Sequence, residues 1–114
     1  MRVTFDETEA GVICRLIGNL EHLSVAQFRD AVAQLRDARR VIFELAAVPF
    51  VDSAGLGALI GAVRRTREIG GDAVVCSARP SVKRVLDMIG LPRVVNVFDN
   101  LDEAQAYFLR RSVA

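Results

Sequence analysis

An acidic residue followed by a serine stands where an apolar run of the sequence ends and a helical pattern begins. Asp52 and Ser53 come directly after Val51, and glycines follow at positions 55 and 57. At such a junction the first amide N–H groups of a helix lack internal partners, so Asp52 or Ser53 can cap them, and a phosphate on the serine would be well placed. Because each helical glycine costs about 1 kcal/mol relative to alanine, we interpret Gly55 and Gly57 as a bare surface for a docking molecule, with helix-to-sheet packing as the alternative, rather than as parts of an ordinary cap.

This serine does not complete a hydrolase site. A nucleophile elbow has the pattern G-x-S-x-G, and Val51 occupies the position of its first glycine. A catalytic triad also needs a histidine that touches the serine and a separate carboxylate that orients the histidine. His22 is the only histidine, and Asp52 is a poor candidate for the orienting role because it adjoins Ser53. We therefore interpret His22 as an exposed loop residue and expect no catalytic residue and no enzyme activity.

Motifs for cofactors and metals are also incomplete. Gly55, Gly57 and Gly61 are spaced one residue too widely for the dinucleotide fingerprint, and the chain has no Gly-Lys-Ser/Thr segment of a phosphate-binding loop. With one histidine and no acidic cluster visible in the sequence, we expect no metal site and no cofactor. Cys14 and Cys76 lie in apolar runs without metal-ligand spacing, which favours buried, reduced thiols.

Composition indicates one ordinary globular domain over residues 1–114. Of these residues 52% are hydrophobic and 25% are charged, which suffices for a single core without disulfides. The formal net charge of +1 argues against direct binding of nucleic acid, and we interpret the arginines at 64, 65 and 67 as a solvated helix face. No apolar run reaches the about 20 residues of a membrane span, so we expect a cytoplasmic protein without membrane contact.

Elements of alternating type must position the serine. The runs 3–5 and 12–17 predict an antiparallel hairpin. A first helix should open on a capping box formed by Ser24 and Gln27 and close at the arginines 39 and 40. A strand at 41–45 then leads to a second helix at about 54–69, which the glycines at 70 and 71 end.

The last third repeats this alternation. A strand at 73–76 precedes a helix that begins near Pro80, with apolar side chains at helical spacing through Ile89. A last strand at 94–98 and a terminal helix, capped by Asn100 and Glu103, complete the order β-β-α-β-α-β-α-β-α. Alternating strands and helices predict an α/β fold with a mixed sheet of four to five strands.

Four segments together resemble one family. Residues 41–57, which contain Val-Pro-Phe-Val-Asp-Ser-Ala-Gly-Leu-Gly, resemble the signature of the STAS family, the bacterial anti-sigma factor antagonists, in which D-S-[ST]-G-L-G follows the central strand. Residues 18–21 resemble the family's G-E-L-D, residues 70–76 its G-G-x-[LM]-V-[LV] strand, and residues 81–91 its S-V-x-R-[LV]-[LF]-x-x-x-G-L helix. Because the segments keep their order and spacing, the resemblance covers nearly the whole chain and implies a STAS-like fold.

The resemblance also implies a binding protein that phosphorylation switches. In the family, the serine after the motif aspartate is phosphorylated by the partner anti-sigma factor, which is itself a serine kinase, and a phosphatase reverses the step. The unphosphorylated form binds that factor and frees a sigma factor. The resemblance assigns phosphorylation to Ser53. The positions that it assigns to partner binding are Asn19, Glu21, Asp52, Ser53, Ala54, Gly55, Leu56 and Gly57.

Two of these positions depart from the family pattern, and one has two interpretations. Ala54 replaces the family's second hydroxyl, which leaves Ser53 as the single acceptor of the motif. Glu21 replaces the usual aspartate and adds a methylene, so its placement opposite the motif is an open question. Leu56 is either an apolar contact for the partner or a core residue, and we favour the core.

Other function classes stay open at this point. The same fold serves as a scaffold or accessory subunit in transport and stress-signalling assemblies, although the intact Asp52-Ser53 pair favours a switch. A module that binds a small ligand or nucleotide is supported only by the predicted helix N-terminus and the nearby arginines. We expect a monomer or a weak dimer.

Overall fold

The computed structural model describes residues 1–111, and their elements follow the predicted order. The strands are β1 (Arg2–Thr8), β2 (Gly11–Ile17), β3 (Arg40–Ala47), β4 (Asp72–Cys76) and β5 (Val97–Phe98). The helices are α1 (Val25–Ala33), α2 (Ser53–Glu68), α3 (Pro80–Met88) and α4 (Leu101–Arg111), with one 3₁₀ turn at Leu91–Arg93. The α/β fold and its order of elements are therefore confirmed.

The five strands form one mixed sheet in the order β1-β2-β3-β4-β5. β1 and β2 pair antiparallel as the predicted hairpin, whereas β2, β3, β4 and β5 pair parallel. The carboxyl ends of the parallel strands therefore lie at one edge of the sheet. The segment that follows β3 at this edge carries Asp52 and enters α2 at Ser53.

The two faces of the sheet are covered unequally. Phe43 of β3 faces the larger core, into which α1, α2 and α3 insert Phe28, Leu59 and Leu86. The opposite face is covered by α4, whose Phe108 packs in a second core with residues such as Ile42. Because β3 is buried on both faces, its near-continuous apolar run is typical of a central parallel strand.

The two cysteines are buried in the sheet, one in each core. Burial raises the pKa of the Cys14 thiol to about 12 and that of the Cys76 thiol to about 11. Both thiols are free, as the sequence predicted. Because the reactive form of cysteine is the thiolate, the raised pKa values make both thiols weak nucleophiles near neutral pH.

The predicted first helix begins where expected, with Ser24 at its N-cap, but its capping box is absent and it ends early. Ser24 makes no capping bond to the helix; its Oγ instead accepts a hydrogen bond from the Glu21 N–H at 3.0 Å and lies 2.7 Å from the Asn19 carbonyl oxygen, to which it donates. The helix ends at Ala33, well before the arginines at 39 and 40. Arg36 has a left-handed backbone (φ 50°), which interrupts the helix although no glycine in the sequence marks this position.

The end of the chain differs from prediction in two details. Only Val97–Phe98 of the predicted last strand pairs with β4, because Val94 and Val95 lie in the turn that follows the 3₁₀ segment. Ile89, at the C-cap of α3, is exposed rather than part of the core-facing stripe. The predicted cap of α4 is confirmed: the Glu103 N–H donates to Asn100 Oδ1 at 2.9 Å.

The structure also tests the predicted end of the second helix. Gly70, with a left-handed φ of 89°, follows α2 and confirms the predicted stop, because its N–H donates to the Arg67 carbonyl at 3.0 Å.

Among residues 1–111, no helix is both long enough and apolar enough to cross a membrane.

Candidate functional site

Two loops are joined side by side at the carboxyl edge of the sheet. The loop after β2 contains Leu20, and the loop after β3 contains Phe50 and Asp52. The Leu20 N–H donates to the Phe50 carbonyl at 3.0 Å, and the Asp52 N–H donates to the Leu20 carbonyl at 3.2 Å. Leu20 and Val51 form a parallel bridge between these bonds, and both side chains are buried. The two loops therefore extend the pairing of β2 with β3 and hold the start of α2 in place.

Asp52 is the N-cap of α2 and also binds the neighbouring loop. Its Oδ1 accepts a hydrogen bond from the Gly55 N–H at 2.8 Å, and its Oδ2 accepts one from the His22 N–H at 3.0 Å. The hydrogen bond from Gly55 lowers the pKa of Asp52 the most, and the bonds and charge from His22 lower it further. The aspartate therefore stays ionised and ties the two loops together.

The pKa of Asp52 predicts a stability effect that depends on pH. A carboxyl group whose folded-state pKa is depressed stabilises the fold above its unfolded pKa, about 3.9 for aspartate, and that stability is lost as the pH falls through the folded pKa. We expect Asp52→Ala to lower the melting temperature at about pH 7, and the difference from wild type to narrow at about pH 2. The measurement is thermal unfolding followed by circular dichroism.

The matched control for this prediction is Asp30→Ala. Asp30 is an exposed aspartate of α1 whose carboxylate has no hydrogen-bond or ion-pair partner among the described residues, so its removal should change the melting temperature little at either pH. A deficit of Asp52→Ala that is equally large at both pH values would contradict the role of the ionised carboxylate.

Ser53 is the first residue of α2, and its side chain is exposed. Among the described residues, its hydroxyl has no hydrogen-bond partner. Since Asp52 supplies the cap, the serine is free of the capping duty that a residue of its type commonly performs at this place. Its hydroxyl can therefore be reached and modified from outside without loss of the helix cap.

His22 lies beside Asp52, a contact that the sequence does not predict. The ring is exposed, as predicted, but its Nδ1 lies 3.4 Å from Asp52 Oδ2 and 3.4 Å from Glu21 Oε2. The expectation that no acidic cluster exists is therefore wrong, because one ligand atom each of Glu21, His22 and Asp52 falls within 4.8 Å of the others. Both carboxylates already accept backbone hydrogen bonds, Glu21 from the Leu23 N–H at 3.2 Å, which accounts for the cluster as a loop brace.

The two glycines of the motif have different surroundings. A Cβ atom built on Gly55 would overlap the carbonyl group of Leu20, so this glycine is required for the close approach of α2 to the loop. Gly57 is exposed, and a Cβ atom there would meet nothing within 4 Å. Leu56 is only 4% exposed and belongs to the larger core, which is the interpretation that we favoured.

The structure brings together most of the residues that the sequence proposed for the site. Asn19 and Ala54 are exposed, Glu21 and Asp52 are half-buried, and all four lie on the two joined loops or at the start of α2. Gly55 and Leu56 are buried below them. Contact with a partner through these positions stays a prediction, and Leu56 could at most support such a surface from inside.

Two exposed apolar residues of the site were missed. Leu23 is 78% exposed on the loop after β2, and Phe50 is 52% exposed on the loop after β3. Large apolar side chains at the ends of two joined loops are typical of contact surfaces. In the sequence, Phe50 stands in an apolar run and Leu23 is a single leucine before a predicted helix, so neither position gives a sign of exposure.

Comparison with known proteins shows a relationship over most of the chain. A family model described as the STAS domain matches residues 2–104. The chain is 31% identical over 103 residues to an anti-sigma F factor antagonist of Paenibacillus polymyxa, which covers 88% of each protein.

Solved structures share the fold. An anti-sigma factor antagonist from Mycobacterium paratuberculosis superimposes with a TM-score of 0.85 at 18% identity, over 94% of this chain and 92% of the other. The Bacillus cell fate determinant SpoIIAA, in its phosphorylated form, superimposes with a TM-score of 0.67 at 23% identity, over 90% of this chain and 96% of the other.

Proposed function

We propose that this chain, which belongs to the STAS domain family, is an anti-sigma factor antagonist that works by partner switching. In its unphosphorylated form it binds an anti-sigma factor that is also a serine kinase, and a sigma factor is thereby released. Phosphorylation of Ser53 ends this binding, and a phosphatase that acts on phospho-Ser53 restores it. These partners would place the protein in the cytoplasm. The observation that carries the proposal is the exposed Ser53 hydroxyl beside the capping carboxylate of Asp52.

The geometry supports a switch that leaves the fold intact. A phosphate on Ser53 adds a charge of about −1.5 to −2 at the N-terminus of a 16-residue helix, where the partial positive charge of the amide groups favours an anion. Because Asp52 supplies the N-cap, the modification removes no hydrogen bond that stabilises α2. The free protein should therefore tolerate phosphorylation.

A partner docked on this surface would not tolerate the phosphate as easily. Glu21 and Asp52 already make the edge of the two loops acidic, so the new charge concentrates negative potential there. Like charges that face each other across an interface cost several kcal/mol of binding free energy. The exposed side chains of Leu23 and Phe50 would supply the apolar contacts of the unphosphorylated complex.

Ser53→Asp tests the charge mechanism. We expect this variant to keep the melting temperature of wild type, since an acidic residue in the first turn of a helix is tolerated or mildly stabilising. We expect its affinity for the cognate anti-sigma factor to fall more than about a hundredfold, which corresponds to a loss of about 3 kcal/mol. The measurement is calorimetric titration of each anti-sigma factor kinase encoded in the source genome.

Ser81→Asp is the matched control for this test. Ser81 is an exposed serine in the first turn of α3, so the same charge is added at an equivalent helix position away from the two joined loops. Equal affinities of wild type and Ser53→Asp would refute the charge switch. If none of the anti-sigma factors binds the wild type, the proposed function as a whole is wrong.

A further inference from the structure

A groove runs between α1 and α2, beginning one helical turn beyond Ser53. Its volume is about 280 Å³. Residues of α1 line one side of the groove. Small residues of α2 and, farther along the helix, Arg65 line the other side. The lining residues that the inference uses are Arg29, Gly57, Gly61 and Arg65.

No packing contact among the described residues requires glycine at the two glycine positions of the groove. Neither Gly57 nor Gly61 has a positive φ, and a Cβ atom on either would meet nothing within 4 Å. Glycine is the least favourable helix residue after proline, so α2 would be more stable with alanine at both positions. This contrasts with Gly55, where the Leu20 carbonyl leaves no room for a side chain. The open space along Gly57 and Gly61 is thus available to something outside the chain.

The charge along the groove indicates what that occupant carries. Arg29 of α1 and Arg65 of α2 both line the groove, and neither guanidinium group has a hydrogen-bond or ion-pair partner within residues 1–111. Arg67, farther along the same helix, is instead paired with Asp72 at 3.1 Å. Two unpaired guanidinium groups at one groove complement a segment that presents carboxylates, which arginine binds through two parallel hydrogen bonds.

We propose that this groove receives an acidic segment of the anti-sigma factor, with its carboxylates on Arg29 and Arg65 and its backbone against Gly57 and Gly61. The inference rests on the proposed function and names the chemistry of its partner. The surface then has two signs of charge: an acidic edge at Glu21 and Asp52, and a basic groove one turn farther along α2. Such an arrangement sets the orientation of a docked partner, because the reversed orientation would oppose like charges.

Charge reversal in the groove tests this inference. The probe is the anti-sigma factor that binds the wild-type protein, titrated by calorimetry at low and high salt. We expect Arg29→Glu and Arg65→Glu each to weaken binding roughly tenfold, and the double variant to weaken it further and to reduce the dependence of binding on salt. Arg64→Glu is the matched control, since this adjacent arginine lies on α2 but lines a different groove, beside Leu91.

Filling the groove tests the same inference without a change of charge. Gly61→Leu places an apolar side chain in the open space, so we expect an unchanged or higher melting temperature and binding weakened at least roughly tenfold.

The outcomes separate this inference from the proposed function. If wild type binds and Ser53→Asp does not, while Arg29→Glu, Arg65→Glu and Gly61→Leu all bind like wild type, the switch stands and the groove inference is wrong. If the wild-type protein binds ATP alone and Arg65→Glu abolishes that binding, the groove holds a nucleotide, which also overturns the inference. If no anti-sigma factor binds the wild type, both proposals fall.

Discussion

Ser53→Ala should abolish phosphorylation by the cognate anti-sigma factor kinase. Incubated with that kinase and ATP, the wild-type protein should gain the ~80 Da of one phosphate group, and the variant should gain nothing. The reason is structural: the Ser53 hydroxyl is exposed and unbonded among the described residues, and Ala54 removes the second hydroxyl of the motif. Intact-mass spectrometry measures the result, and peptide mapping of the wild type locates the modified residue.

The control for this experiment is Ser81→Ala, which removes another exposed serine from the first turn of a helix. It should be phosphorylated as completely as wild type. Thr66 is not a competing site, since it is buried and its hydroxyl donates to the Ala62 carbonyl at 3.1 Å. A full mass shift in Ser53→Ala would refute the assignment of the phosphoacceptor.

Gly55→Ala should destabilise the isolated domain strongly. A Cβ atom at this position would overlap the carbonyl carbon and oxygen of Leu20, which are backbone atoms held by the bridge to Val51 and by the Asp52 N–H. Relief would require α2 to move away from the loop and break the Asp52 bonds. We expect a loss of about 2–4 kcal/mol in the free energy of unfolding, in the range of overpacked or strained core sites. Urea denaturation measures it.

Gly57→Ala is the matched comparison, because it makes the same chemical change two residues later in the same helix. With open space around the new methyl group, we expect a gain of up to about 1 kcal/mol in the free energy of unfolding. Equal destabilisation by the two variants would contradict the packing explanation of Gly55. Wild-type affinity of Gly57→Ala for the anti-sigma factor would contradict a close approach of the partner at Gly57.

Most elements could be predicted from the sequence because their signals are local. The hairpin, the apolar strand β3 and the cap of α4 each show their periodicity or capping pattern within a few residues. The end of α1 shows none, since Arg36 adopts its left-handed conformation without a glycine or asparagine. The predicted capping box failed for a related reason: the Ser24 hydroxyl found partners at Asn19 and Glu21 in its own loop.

The residues of the candidate site also divide into those with a local sequence signal and those without one. Asp52 and Ser53 are adjacent in the chain, so their shared place at a strand-to-helix junction was visible in the pattern of residue types. His22 reaches Asp52 across a separation of 30 residues, and Leu23 and Phe50 come to the same edge only because Leu20 pairs with Val51. The sequence provides no signal for such a pairing, since it depends on the register of β2 against β3.

The glycines of α2 show most clearly where local information ends. From residue type and spacing, Gly55 and Gly57 have the same helix propensity and received the same interpretation as a docking surface. The tertiary structure separates them, because the Leu20 carbonyl lies over Gly55 and open space lies over Gly57. Propensity is a property of the residue and its neighbours in the chain, whereas the space around a Cβ atom is set by a loop more than thirty positions away. For that reason the sequence could single out Ser53 as the proposed phosphoacceptor, but only the packed structure could distinguish the glycine that maintains the fold from the glycine that leaves a groove open.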